Sequence, residues 1–223
     1  MAETGEVASR DTAHARLMDS VYRNQRHFYD LTRKFYLLGR DHAIARLEAG
    51  AGDTVLEVGC GTGRNLIRAA RSFPQARFYG FDLSSEMLAT ARRNIEKAGL
   101  ADRITLGLAD AGSFDGEALF GIARFDRILY SYTLSMIPPW QAAISRGLDQ
   151  LTDSGRIGIV DFGMQEGLPG WFRGGLKRWL DLFHVAAREA LPEFLSEETA
   201  RHPGRALTFR PMYRGYTWYA EIG

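Results

Sequence analysis

Val55-Leu56-Glu57-Val58-Gly59-Cys60-Gly61-Thr62-Gly63, with a helical run opening at Arg64, decides the fold of this 223-residue chain. It reads as a strand that ends in a glycine-dense turn and passes into a helix. Glycine has no Cβ and tolerates positive φ, and a helix N-terminus presents unpaired N–H groups, so a small ligand can approach the backbone closely there. The spacing narrows the ligand. A dinucleotide turn reads G-x-G-x-x-G, and its third glycine lets helix and strand pack beside the pyrophosphate. Here the glycines fall at 59, 61 and 63 and the third position is Arg64, which disfavours a pyrophosphate.

Outward from this turn, strand and helix patterns alternate. Strands are predicted at 53–58, 76–82, 103–108, 125–131 and 155–161, with helices at 64–72, 84–98, near 113–119 and at 138–151. Such alternation predicts a mainly parallel sheet with right-handed crossovers. The second strand ends in Asp82, about 20 residues past the turn, where a carboxylate can accept from a ribose diol. The third runs from Ile104 towards Asp110, and the fourth ends at Ser131. Two further β-rich runs, Leu207-Thr208-Phe209 and Tyr216 to Ala220, are close enough to form a hairpin through Arg214-Gly215. Before the first strand, apolar residues at helical spacing predict two helices over residues 13–48, broken near Leu38-Gly39. Met136-Ile137-Pro138-Pro139-Trp140 reads as a structural helix start.

Composition bounds the rest. Hydrophobic residues make up 45% of the chain, enough for one sizeable α/β core, and no linker divides it. The net charge of +1 gives no bulk attraction to nucleic acid, and no basic tract interleaved with aromatics supports such binding. Cys60 is the only cysteine, so no internal disulfide forms; between two glycines of the turn it reads as structural. No Cys/His cluster has metal-ligand spacing. The polar, acidic first residues give no signal peptide or membrane-spanning helix, so a cytoplasmic location is expected. After Asp161, the run Gly167 to His184 places Phe172, Leu176, Trp179, Leu180 and Phe183 on one helical face and Arg173, Lys177 and Asp181 on another. That pattern suits either a membrane-surface helix or a helix covering an apolar cleft.

Glu57, the glycine turn, Asp82 and Asp110, in this order, resemble the class I S-adenosylmethionine-dependent methyltransferases. The resemblance implies a Rossmann-like α/β fold with a seven-stranded, mostly parallel sheet and helices on both faces. It implies an N-terminal helical lid over residues 1–50 on a cofactor-binding domain over 51–223. Gly59, Gly61 and Gly63 would pack on the methionine part of S-adenosylmethionine, Asp82 would hold the ribose and Asp110 the adenine amine. Glu57 would orient the turn or the ammonium. Leu83, Met87, Ala111, Ser131, Arg64 and Arg33 complete the implied cofactor set.

A narrower resemblance rests on Tyr22 to Asp41, Gly61 to Leu66, Ser131 to Pro138, Val160 to Gly163 and Gly167 to Phe172. These look like bacterial betaine-lipid N-methyltransferases, which convert diacylglyceryl-homoserine to its trimethylated form in three steps. The implied partner is a lipid with an amino-acid head group, reached by peripheral contact with the inner face of the membrane. Tyr22, Tyr29, Tyr130 and Tyr132 are the aromatic candidates to surround the developing positive charge. Arg26, Arg40 and Trp171 are the candidates for the substrate's carboxylate and chains. A phosphatidylethanolamine or quinone-pathway methyltransferase is the alternative enzyme, and a non-catalytic cofactor-binding subunit the alternative of another class.

Overall fold

A computed structural model describes residues 37–182 and 185–223. Tyr22, Arg26, Tyr29, Arg33, Phe183 and His184 lie outside them. Seven strands form one sheet: β1 (Thr54–Val58), β2 (Arg77–Asp82), β3 (Ile104–Leu108), β4 (Phe125–Ser131), β5 (Leu151–Phe162), β6 (Leu207–Met212) and β7 (Thr217–Ile222). Their order is β3-β2-β1-β4-β5-β7-β6. β1 pairs in parallel with β2 on one side and β4 on the other, so the strand order reverses beside β1. In open α/β sheets the crevice outside the carboxyl ends of the strands at such a reversal is where ligands bind. β7 runs antiparallel to both of its neighbours.

Helices cover both faces. On one face α1 (Arg40–Ala45), α2 (Arg64–Ser72), α3 (Ser85–Lys97) and the inner side of α6 (Gly170–Asp181) enclose a core that includes Ile44, Leu66, Ala91, Val160 and Leu180. On the other, α4 (Gly116–Phe120), α5 (Trp140–Asp149) and α7 (Leu191–Ala200) enclose Phe125, Ile128, Ile144, Leu148 and Leu195. Strands covered on both faces need apolar side chains at successive positions, which is why β1 and β4 read as nearly continuous apolar runs.

The sequence expectations meet the structure closely in the first four strands. Gly39, at φ 80°, starts α1, where the helical break is expected. Ser84 caps α3, its Oγ accepting from the Met87 N–H at 3.3 Å. β5 is longer than the 155–161 expected: it begins at Leu151, and its pairing with β4 shifts register between Phe125 and Arg127. The polar stretch Thr152-Asp153-Ser154-Gly155 hides that extension, because it lacks the apolar signal that marks a strand. In α6, Leu176, Trp179 and Leu180 turn towards the core. Much of the face expected to meet a membrane therefore packs inward, and Trp171 and Leu182 are exposed instead.

Candidate functional site

Two cavities meet at Gly59 and Gly61, one on each side of the turn after β1. Gly59 sits at φ 68°, and a Cβ there would fall 2.5 Å from the Thr133 methyl, so the turn admits no side chain. Asp82, at the end of β2, accepts from the Gly61 N–H at 2.8 Å and from the Ser84 N–H at 2.9 Å. A carboxylate oxygen can accept more than one hydrogen bond, so the group is chemically suited to a ligand diol. This one side chain thus fixes the turn and the start of α3 together.

The first cavity lies between the turn and the loop after β4. Asp82, Leu83, Met87, Asp110, Ala111 and Tyr132 line it, with Met136, Ile137, Pro138 and Pro139 opposite. Asp110 Oδ1 accepts from the Gly112 N–H at 2.8 Å, which aims the carboxylate along its own loop. Two carboxylates among apolar walls can hold the hydroxyls and amine of a nucleoside.

The second cavity holds Leu37, Arg40, Glu57, Arg64, Asn65 and Ser131. Glu57 is 2% exposed, with Oε1 accepting from Asn65 Nδ2 at 2.8 Å. Its Oε2 and the Ser131 Oγ are buried without a hydrogen-bond partner. Burial raises the Glu57 carboxyl to about 8, against the opposing pull of Asn65 and the Arg40 charge. Orphaned buried polar atoms are costly. A carboxylate, a hydroxyl and two guanidinium groups around one space fit a bound amino acid, with its ammonium and its carboxylate.

The structure corrects three placements. Tyr130 is not at the cleft: it is fully buried on the opposite face of the sheet, its hydroxyl donating to the Ala143 carbonyl at 2.6 Å. Tyr130 and Tyr132 would share a face in a continuing strand, but Tyr132 adopts φ 56° just past the end of β4 and turns to the other side. Gly63 lines neither cavity; its N–H donates to the Cys60 carbonyl at 3.0 Å, and a Cβ would meet the Ala91 Cβ at 3.2 Å. It serves close packing of α2 on α3. Trp171, at 80% exposure, is outside both linings.

Sequence reasoning gave the wall from Thr133 to Pro139 no part in the cofactor site; Met136 to Trp140 read only as a structural helix start. The available signal was position: it follows the carboxyl end of a strand beside the sheet's reversal. Cys60 is buried and its thiol is pushed up by burial, in keeping with a packing role. Among the described residues no group of His, Cys, Asp and Glu could hold a metal ion.

This sheet order, the glycine turn and the paired cavities define a class I S-adenosylmethionine-dependent methyltransferase domain. The chain belongs to the methyltransferase-domain family, which matches residues 49–199. It is 30% identical to a phosphatidylethanolamine N-methyltransferase of Cereibacter sphaeroides over 171 residues, 73% of this chain and 81% of that protein. A probable fatty acid methyltransferase of Pseudomonas putida is 34% identical over 89 residues, 40% of this chain but 21% of that protein. Of GfsG of Streptomyces halstedii and DauC of a Streptomyces, both methyltransferases, the match covers 40% and 50%. The chain thus spans half or less of several curated relatives.

Among solved structures, the DhpI-SAM-HEP complex aligns with TM-score 0.65 at 21% identity over 95% of this chain and 97% of that one. A Haemonchus contortus phosphoethanolamine N-methyltransferase 2 bound to S-adenosylmethionine aligns with TM-score 0.61 at 20% identity, over 77% and 38%. These likenesses establish the fold. S-adenosylmethionine is the cofactor.

Proposed function

We propose that the chain methylates the amine of a membrane lipid, and that its acceptor is diacylglyceryl-homoserine, carried through three methylations to the trimethylated betaine lipid. The observation that carries the lipid-amine reading is the match to the Cereibacter phosphatidylethanolamine N-methyltransferase, which spans most of both chains. The homoserine head group rests on the arginine- and tyrosine-rich motif from Tyr22 to Asp41 and on the guanidinium groups it supplies for a carboxylate.

Asp82 and Asp110 would hold the adenosine, and Glu57, Ser131, Arg40 and Arg64 the amino-acid end. Bound S-adenosylmethionine would supply a sulfonium methyl to the amine in line, with the C–S electron pair staying on sulfur; the primary and secondary amines of the first two steps then shed a proton to solvent, and the tertiary amine of the third has none to lose. The chain's task is to align a neutral nitrogen and exclude water, so a dedicated base is not required. Tyr132 is not that base. Its hydroxyl donates to the Leu38 carbonyl at 2.6 Å and lies 2.8 Å from Thr217 Oγ1, and burial holds its pKa well above the ordinary tyrosine value. Its ring can still face a growing cation, a contact worth about 0.5–2 kcal/mol. Tyr22 and Tyr29 are the further aromatic candidates, and Arg26 and Arg33 the further carboxylate partners.

The test is lipid mass spectrometry of a host that makes diacylglyceryl-homoserine, with and without this chain. Mono-, di- and trimethylated homoserine lipid should appear together. Methylated phosphatidylethanolamine in their place would transfer the reading to the second acceptor, which the same relative favours. No binding of S-adenosylhomocysteine to folded protein would leave only a non-catalytic subunit.

A further inference from the structure

Among the described residues, the large hydrophobic side chains that remain exposed are Leu108 (58%), Trp171 (80%), Phe172 (37%), Leu182 (73%) and Tyr213 (49%). Leu108 and Tyr213 lie at the carboxyl end of the sheet, beside its two outermost strands β3 and β6, and the other three are on α6 or at its end. Leu108 is the last residue of β3, in register with Asp82 at the cleft. Tyr213 is in the turn between β6 and β7, one residue past the Met212–Thr217 pair, and Thr217 in turn pairs with Phe162 at the end of β5. α6 starts beside this turn, where the Gly167 N–H donates to the Arg214 carbonyl at 3.0 Å. Beyond α6 the chain returns to the loop after β4, the Ala186 N–H donating to the Ser135 carbonyl at 3.0 Å. α6 therefore crosses the carboxyl edge, onto which the cofactor cleft opens. At the opposite edge, Asp53, Arg103, Arg124 and Gln150, which precede β1, β3, β4 and β5, are polar.

Monomer surfaces do scatter single apolar residues, but a set confined to one edge marks a contact face. Its charge selects the partner. Exposed Arg173, Lys177, Arg178 and Arg214 stand among these apolar groups, with Asp181 and Glu166 as the nearby acids. Aromatic and aliphatic side chains interleaved with cations suit the head-group layer of an anionic bilayer, where rings enter the interface and cations meet lipid phosphates. We propose that the carboxyl edge, centred on the outer side of α6, docks on an anionic lipid surface and presents the cofactor cleft to a lipid that never leaves the bilayer. This rests on the lipid-amine reading for its purpose, but its test is separate.

The full chain would be sedimented with vesicles of phosphatidylcholine alone and with phosphatidylglycerol added. It should partition onto the anionic vesicles and stay in solution with the neutral ones. The double variant Arg178→Glu, Leu182→Ser should lower that partition about tenfold or more, with S-adenosylhomocysteine affinity by calorimetry and methyl transfer to lipid in detergent micelles both unchanged. Trp171→Ser should lower vesicle partition on its own. Wild type that ignores anionic vesicles, or variants that bind them equally well, overturn the docking face. So does light scattering that finds a wild-type dimer which the double variant loses, because the face then belongs to a second copy. Transfer in micelles without vesicle binding defeats the docking and spares the lipid-amine reading; vesicle binding without transfer does the reverse.

Discussion

At Glu57 the chain keeps a carboxylate out of water with one oxygen unpaired, and its titration follows from that. An unfolded glutamate titrates near 4.5 and this one near 8. Below the lower value both forms are protonated. Between the two only the folded chain holds the proton, so stability falls as pH rises through this window and is lowest above it. Thermal unfolding of Glu57→Gln should show a flatter pH profile than the wild type, with its relative advantage growing towards pH 8. An ammonium bound beside Glu57 would favour the ionised form. Binding of S-adenosylhomocysteine at pH 6.5 should then release a proton, measurable by calorimetry in buffers of different ionisation enthalpy; no release would place the ammonium elsewhere. Asp82 gives a second residue-scale outcome. Asp82→Ala removes the acceptor for the Gly61 and Ser84 N–H groups as well as for the ligand. Cofactor affinity should fall by roughly 1.5–3 kcal/mol, and an unchanged affinity would show that the ribose is held by other groups. The acids of the site were legible because strand ends announce them. That Tyr130 falls on the side away from Tyr132 was not, because a single left-handed residue after β4 turns Tyr132 to the other face.

The loop from Thr133 to Pro139 is held by several elements. The Ser135 N–H donates to Asp161 Oδ2 at 3.0 Å, from the end of β5. From the segment before α7, Arg188 donates through Nε to the Leu134 carbonyl at 2.9 Å and through Nη2 to the Ile137 carbonyl at 2.8 Å. This wall of the cleft therefore depends on a residue more than fifty positions away. Arg188→Ala should destabilise the fold by about 1–3 kcal/mol, since the carbonyls lose charge-assisted partners. It should also raise the KM for S-adenosylmethionine more than it lowers kcat, and lysine, with a single ammonium for two carbonyls, should restore only part of the loss. No sequence pattern marks Arg188, because its partners are carbonyls and backbone carries no signature. α6 shows the reverse limit. Its helical period was readable from Phe172 to Leu180, yet the same apolar stripe suits a bilayer or a core, and packing of Leu176, Trp179 and Leu180 decided for the core.

For the molecule as a whole, a net charge of +1 makes long-range attraction weak, so any electrostatic docking must come from the local cations of the carboxyl edge. Partition onto anionic vesicles should fall steeply between 0.05 and 0.5 M salt as the screening length shortens from over 10 Å to about 4 Å. A partition that holds at high salt would mean that apolar insertion dominates. The parallel part of the sheet was legible from strand to strand because each crossover repeats one pattern. β5, β7 and β6 were legible as strands but not in their order, which depends on pairings between distant residues. That order carries a consequence for synthesis. β7 emerges from the ribosome after every other strand and yet belongs between β5 and β6. Until Thr217–Ile222 are made, the edge of β5 away from β4 lacks its partner and presents open backbone of the kind that pairs with other chains. Between completing β5 and completing β7, a growing chain carries that unpaired edge, the kind of surface that makes incomplete chains prone to aggregate.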